Sequence, residues 1–231
     1  FGAGQALLKE EIEEDDIENL IIQQVEFCTK IIINKTDLVS ADELKEVETV
    51  IRALQPEAEL IESVQGVVSL DKIFNTNSFD FEKASTSAAW IKGLEEIEEE
   101  EDEPEGEVLE YNISTFVYKR RKPFDTDTWF KWVEDKYHST IIRCKGVVWM
   151  TQNQKNMFMF EQAGKQKRLG DAGLWVASMF PAKQREILKY NPDVRAEWDE
   201  KCGDKMIKLV FIGKDMDRKA IEAELDACLV K

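Results

Sequence analysis

The sequence has one histidine, His138, and four cysteines, Cys28, Cys144, Cys202 and Cys228. A single imidazole cannot build a histidine-based metal cluster. The cysteines lie far apart and form no CxxC pair, so neither a zinc knuckle nor a disulfide framework is expected. They read as reduced, buried thiols of a cytoplasmic protein. Long apolar runs are also lacking: nothing approaches the roughly 18 uninterrupted apolar residues of a membrane span. Bases are outnumbered, 31 against 47 acids, for a formal net charge of −16. Phosphate-backbone binding needs clustered Lys and Arg, so nucleic acid is not an expected partner. The opening residues, Phe1 to Gln5, include no initiator Met, basic region or apolar core, and read as the start of a fragment, not a signal peptide. No GxxxxGK[ST] occurs anywhere. Without that loop the chain has no backbone cradle or Lys for phosphates, and no Ser/Thr hydroxyl for Mg²⁺.

The acids are unevenly placed. Glu10 to Glu18 holds seven of them, and Glu95 to Glu107 holds ten with no base. Such blocks repel themselves into solvated segments, and loosely held carboxylates make poor selective cation sites. Between the blocks lies an alternating pattern. Ile17, Leu20, Ile21 and Val25 fall on one helical face. Lys30 to Ile33 is a β-branched run, as in a buried parallel strand. Ser40 and Glu43 form a capping box, and Leu44, Val47, Ile51 and Leu54 stripe the helix that follows. Glu59 to Ile61 resumes as a strand. From Tyr111 a second pattern begins. Strands are expected at Ile113 to Tyr118, Ile141 to Cys144, Val147 to Met150, Met157 to Phe160 and Lys208 to Ile212. Helices are expected around Trp129 and Trp132, over Pro181 to Tyr190, and over Arg218 to Leu225 with Asp217 as cap. This predicts α/β plus α+β architecture: part of a parallel sheet, then a small antiparallel-sheet domain covered by helices on one face. The boundaries read as 1–81, an acidic linker over 82–110, and 111–231.

The chemistry concentrates in Asn34-Lys35-Thr36-Asp37, an NKxD sequence directly after the apolar strand. Such a match arises by chance in about 3% of chains this long if residues are equally frequent. Its position matters, because ligands of open α/β sheets bind beyond the carboxyl ends of strands. A carboxylate at Asp37 can accept two parallel hydrogen bonds, from guanine N1–H and from its exocyclic amino group. Adenine offers neither donor there, which leaves the carboxylate unpaired and penalises the wrong base. The stem of Lys35 can cover the base face and its ammonium can add a cation–π contribution. Asn34 can bond the base and brace a neighbouring loop. The alternative is that Asn34 only turns the chain and Asp37 caps it. After the next strand, Glu62 to Gly66 forms a second loop, where a backbone N–H near Ser63 can meet the guanine carbonyl oxygen.

Gln24-Val25-Glu26-Phe27-Cys28, followed by Ile31 to Val39, resembles the CobW-type metal-chaperone GTPases. The second half resembles their C-terminal domain through Ser114 to Tyr118, Arg121 to Phe124, Ile142-Arg143-Cys144-Lys145-Gly146, Gln162 to Gly164, Gly173 to Trp175, Leu209 to Gly213 and Leu225 to Leu229, all in family order. The resemblance covers nearly the whole chain. It implies a P-loop GTPase domain, of which this chain carries the C-terminal portion, joined to an α+β domain. It also implies GTP with Mg²⁺ as cofactor, and delivery of zinc or cobalt to a client metalloprotein or cofactor pathway. Guanine contacts carry over to Asn34, Lys35, Asp37 and Ser63. No catalytic residue and no metal ligand carries over. The CxCC metal motif is missing, and the acidic run stands where many relatives have a His-rich linker. The phosphate and Mg²⁺ sites would belong to a partner segment carrying the P-loop, so this chain alone should not hydrolyse GTP. Arg143, Lys145 and Gly146 read as a tight β-turn with solvated bases. A homo-oligomer is left open. The alternative function is a nucleotide-independent module that recognises a client protein.

Overall fold

The computed structural model describes residues 14–78, 80 and 108–231, and side chains from Asn19 to Ser78, at Asp80 and from Tyr111 onward. Of the expected linker, residues 82–107, with the Glu95 to Glu107 run, lie outside the described residues, whereas Val108 and Leu109 form a short strand. The first acidic block is partly inside them: helix α1 spans Glu14–Phe27, so Glu14 to Glu18 are helical and not loose.

Strand β1 (Lys30–Asn34) and strand β2 (Glu59–Ser63) pair in parallel, joined by helix α2 (Ala41–Leu54). α2 starts where the capping box sets it. The Ser40 N–H donates to Glu43 Oε2 at 2.8 Å, and the Glu43 N–H donates to Ser40 Oγ at 3.3 Å. Both bonds satisfy amides that a helix start otherwise leaves unpaired.

The remaining strands are β3 (Val108–Leu109), β4 (Ile113–Arg120), β5 (Ile141–Val148), β6 (Asn156–Ala163), β7 (Gln166–Leu174) and β8 (Ile207–Lys214). They form one antiparallel sheet in the order β3-β4-β8-β5-β6-β7. Among the described residues the α-helices of this part are α3 (Thr126–Asp135), α4 (Pro181–Tyr190), α5 (Pro192–Ala196) and α6 (Arg218–Ala227). Central β8 is buried through its first seven residues, and its alternation assigns the two faces. Ile207, Leu209 and Phe211 join Trp129 and Trp132 of α3 and Ile221 and Leu225 of α6 in the main core. Val210 and Ile212 join Ala53 and Leu54 of α2, with Ile22 and Val25 of α1 packed alongside.

The sheet is therefore covered on both faces. The sequence reading supplied only one cover, because helices of the second pattern account for only one; the other comes from the first. That docking also turns the helices relative to the expected stripes. Leu20 and Ile21 are 53% and 55% exposed, while Ile22 and Val25 pack inward. Val47 of α2 is exposed, and the contact runs through Val50, Ala53 and Leu54. Helix α1 is apolar over an arc wider than one contact, so periodicity alone did not select the buried edge.

Gly146 overturns the expected turn. It sits inside β5, which runs unbroken from Ile141 to Val148. Its φ is 153°, and a Cβ there would lie 2.0 Å from the Lys208 carbonyl oxygen on β8. Glycine is present because two backbones approach closely. Arg143, expected in solvent, is 2% exposed. Strands β3 and β7 and helix α5 were not anticipated.

Candidate functional site

The two parallel strands bring the expected residues to one end of their sheet. Asn34 and Ser63 are register partners at the carboxyl ends of β1 and β2. The chain leaves β1 through Lys35, which adopts left-handed backbone at φ 64°, ψ 34°, and enters a 3₁₀ turn over Thr36–Leu38. The turn is closed by the Leu38 N–H donating to the Lys35 carbonyl at 3.0 Å. A lysine pays a steric cost in this region, so the surroundings must enforce it. Asn34, Lys35 and Asp37 are exposed on the strand-end surface.

The loop after β2 is tied to that turn twice. Asn34 Oδ1 accepts from the Gly66 N–H at 2.9 Å, and Thr36 Oγ1 donates to the Ser63 carbonyl at 3.3 Å. The bracing role expected of Asn34 is thus its observed contact. Gln65 and Gly66 are both left-handed, at φ 52° and 72°. Ser63 is 4% exposed, and its hydroxyl donates to the Val67 carbonyl at 3.1 Å. Its side chain shapes the loop, in which the Gly66 N–H is taken by Asn34 and the Val67 N–H donates to the Val64 carbonyl at 3.1 Å. An open hollow of about 520 Å³ lies here, lined by Thr36, Glu62, Ser63, Val64, Gln65 and Val67. The Thr36 bridge carries no sequence signal, since any hydroxyl after NK would look the same.

Around this end, apolar side chains are uncovered. Ile32, Leu38, Val39, Val64 and Val67 are all exposed. Parallel strands are ordinarily buried on both faces.

A second group of buried polar residues was not anticipated. Glu26, at the last turn of α1, is 0% exposed and meets Arg143 of β5. Burial, the largest influence, lifts the Glu26 carboxyl above the ordinary glutamate range, with the Arg143 guanidinium pulling the other way. Among the described residues, no group of three or more His, Cys, Asp or Glu is placed to hold a metal ion, and no helix is long and apolar enough to cross a membrane. All four cysteines are free; Cys144 and Cys228 are buried, and Cys28 and Cys202 half-buried.

Residues 113–229 match the family model described as "Cobalamin synthesis protein cobW C-terminal domain". Residues 4–62 match "CobW/HypB/UreG, nucleotide-binding domain". Zinc-regulated GTPase metalloprotein activator 1 of Dictyostelium discoideum is 33% identical over 238 residues, covering all of this chain and 49% of that protein. The chain thus spans about half the length of this curated relative. Two Zn(II)-bound structures of the YjiA GTPase, the E. coli protein and a triple mutant, give TM-scores of 0.38 and 0.35 at 16% identity. Each match covers 93% of this chain, and 56% and 57% of the respective YjiA chains. These two likenesses are too loose to bear on residue roles.

Proposed function

The chain belongs to the CobW family, and from that premise we propose that it is the guanine-recognising and C-terminal part of a GTP-dependent metal chaperone. The observation that carries this reading is the convergence of Asn34, Lys35 and Asp37 with the braced loop from Ser63 to Gly66 at one strand end. Asp37 would accept from the N1–H and amino group of guanine. Lys35, turned outward by its left-handed backbone, would cover the base. Asn34 would fix the second loop, and that loop's backbone would meet the guanine carbonyl oxygen. The exposed carboxylate, the ammonium and the braced amide loop fit the donor and acceptor edges of guanine.

The domains would be 1–81, a C-terminal portion of the GTPase domain; 82–110, an acidic connection; and 111–231, the C-terminal domain. The chain's own residues would bind and orient the base only. Phosphates and Mg²⁺ would be held by a segment carrying a P-loop, and the uncovered apolar residues around β1 and β2 support such a covering segment. The γ-phosphate chemistry belongs to that segment, so this chain contributes no hydrolytic group. The cargo would be zinc or cobalt, taken as substrate and passed to a client metalloprotein in the cytoplasm. The relative's name, a zinc-regulated activator of metalloproteins, favours zinc.

Calorimetry of the whole protein with GDP and ADP tests this. Selective GDP binding that Asp37→Ala abolishes supports the reading, and equal binding of GDP and ADP overturns it. A client-recognition module working without nucleotide is the second reading. The complete core between α3, α6 and the large sheet favours it, and it predicts client binding unchanged by GTP.

A further inference from the structure

The pair Glu26–Arg143 joins residues far apart in the chain and completely inside it. The guanidinium forks onto the carboxylate: Nε donates to Oε1 at 2.5 Å, and Nη2 donates to Oε2 at 3.0 Å. Its remaining arm donates from Nη1 to the Gln162 carbonyl at 3.0 Å. The Gln162 side chain is itself held, accepting from the Tyr137 hydroxyl at 3.0 Å. On the other side, Gln55 ends α2 and is completely buried. Its Nε2 donates to the carbonyls of Glu26 at 2.8 Å and Cys28 at 3.3 Å. A continuous polar chain thus runs from β5 and β6 through Glu26 to the short connection that feeds β1. Strand β1 starts at Lys30 and delivers Asn34 to the strand end.

Apolar packing of α1 and α2 on β4 and β8 already draws these parts together. Packing of that kind is non-directional and tolerates sliding. A buried ion pair adds little net stability over an apolar replacement, so its distinctive contribution is geometry. A two-pronged fork fixes both distance and angle. We infer that Glu26, Arg143 and Gln55 are positioning residues for guanine recognition. They hold the β1 strand end in register against the C-terminal sheet. Nucleotide binding at Asn34 to Asp37 and docking of that sheet on α1 and α2 therefore reinforce each other. None of the three touches the base. The inference rests on the guanine reading above. Coupling between sites is reciprocal, so loosening the sheet must weaken the nucleotide by the same factor that the nucleotide tightens the sheet.

The test is mant-GDP titration of the whole protein in wild type, Asp37→Ala, Arg143→Met and Arg143→Lys, with hydrogen exchange of the amides at residues 30–34 followed in parallel. Near-UV circular dichroism identifies folded variants. If Arg143→Met is unfolded, Arg143→Lys, which keeps the charge but not the fork, carries the decision. The expected result is a loss of GDP affinity of roughly 5- to 50-fold in Arg143→Met, a smaller loss in Arg143→Lys, and faster exchange at 30–34 in both. Weakening in Asp37→Ala with unchanged affinity in both Arg143 variants overturns the coupling and keeps the guanine reading. Failure of wild type to bind GDP overturns the guanine reading; exchange at 30–34 then decides the positioning alone, faster exchange in Arg143→Lys supporting it and unchanged exchange overturning it.

Discussion

Arg143→Met removes the counter-charge of a fully buried carboxylate. Met keeps most of the arginine stem's volume, so the change isolates the lost fork. Breaking a buried pair by deleting one partner costs about 3–5 kcal/mol, because the other charge is left uncompensated. For a chain of this size that lowers the melting temperature by roughly 6–20 °C. The loss depends on pH in a definite direction. Glu26 already titrates above the ordinary glutamate range in the folded protein, chiefly through burial. Without Arg143 it moves higher still. A carboxyl raised in the folded state binds protons more tightly there than when unfolded, so its contribution falls as pH rises through the window above the ordinary glutamate value. The variant's deficit should therefore be largest near neutral pH and shrink at mildly acid pH, where Glu26 is protonated and no charge is stranded. Guanidinium unfolding followed by tryptophan fluorescence reads this directly, since Trp129, Trp132, Trp149 and Trp175 are buried in the same half of the chain. Glu26→Leu/Arg143→Met should recover to within about 1–2 kcal/mol of wild type, an apolar pair replacing an ionic one. A single-variant cost under about 1 kcal/mol, or a deficit independent of pH, would refute the reasoning.

Three further outcomes follow from the geometry. Gly146→Ala should destabilise by at least about 2 kcal/mol in chemical unfolding, because its Cβ meets the Lys208 carbonyl at 2.0 Å and backbone must move. Ser40→Ala should cost about 1 kcal/mol, read as a lower unfolding midpoint at unchanged slope, through loss of the cap on α2. Asp226 is held below the ordinary aspartate range first by its bond from Arg120 and also by one from Tyr118, so its stabilisation is present above that range and lost as pH falls through the depressed value. The stability gap between wild type and Asp226→Asn should narrow in acid, and a gap constant with pH would contradict the pairing.

Local signals were legible and tertiary ones were not. The Ser40 capping box, the place of β1 and the helix around Trp129 and Trp132 follow from short-range spacing and appear as expected, whereas β1 is not buried as its β-branched run suggested. The residues proposed for guanine were found because NKxD ends an apolar strand. Gly146 misled because a glycine after charged residues looks like a turn, whereas its reason is a neighbouring backbone on β8 that only topology brings near. Glu26 and Arg143 look like two ordinary surface charges. Nothing in periodicity pairs them, and their burial follows from α1 and α2 docking on the far face of the large sheet. For the same reason the buried edges of α1 and α2 differ from the expected stripes.

The central claim is that Asp37 reads the 2-amino group and N1–H of guanine. Exchanging carboxylate for amide tests it most directly, with GDP and XDP titrated calorimetrically against wild type and Asp37→Asn. Xanthine carries a carbonyl oxygen where guanine carries its amino group, so an amide donor suits it and a carboxylate does not. Hydrogen bonds to charged groups are worth about 1.5–3 kcal/mol each, so a reversal of preference of roughly tenfold or more is expected. GDP preferred by wild type and XDP by Asp37→Asn is the predicted result; an unchanged preference for GDP in the variant would contradict it.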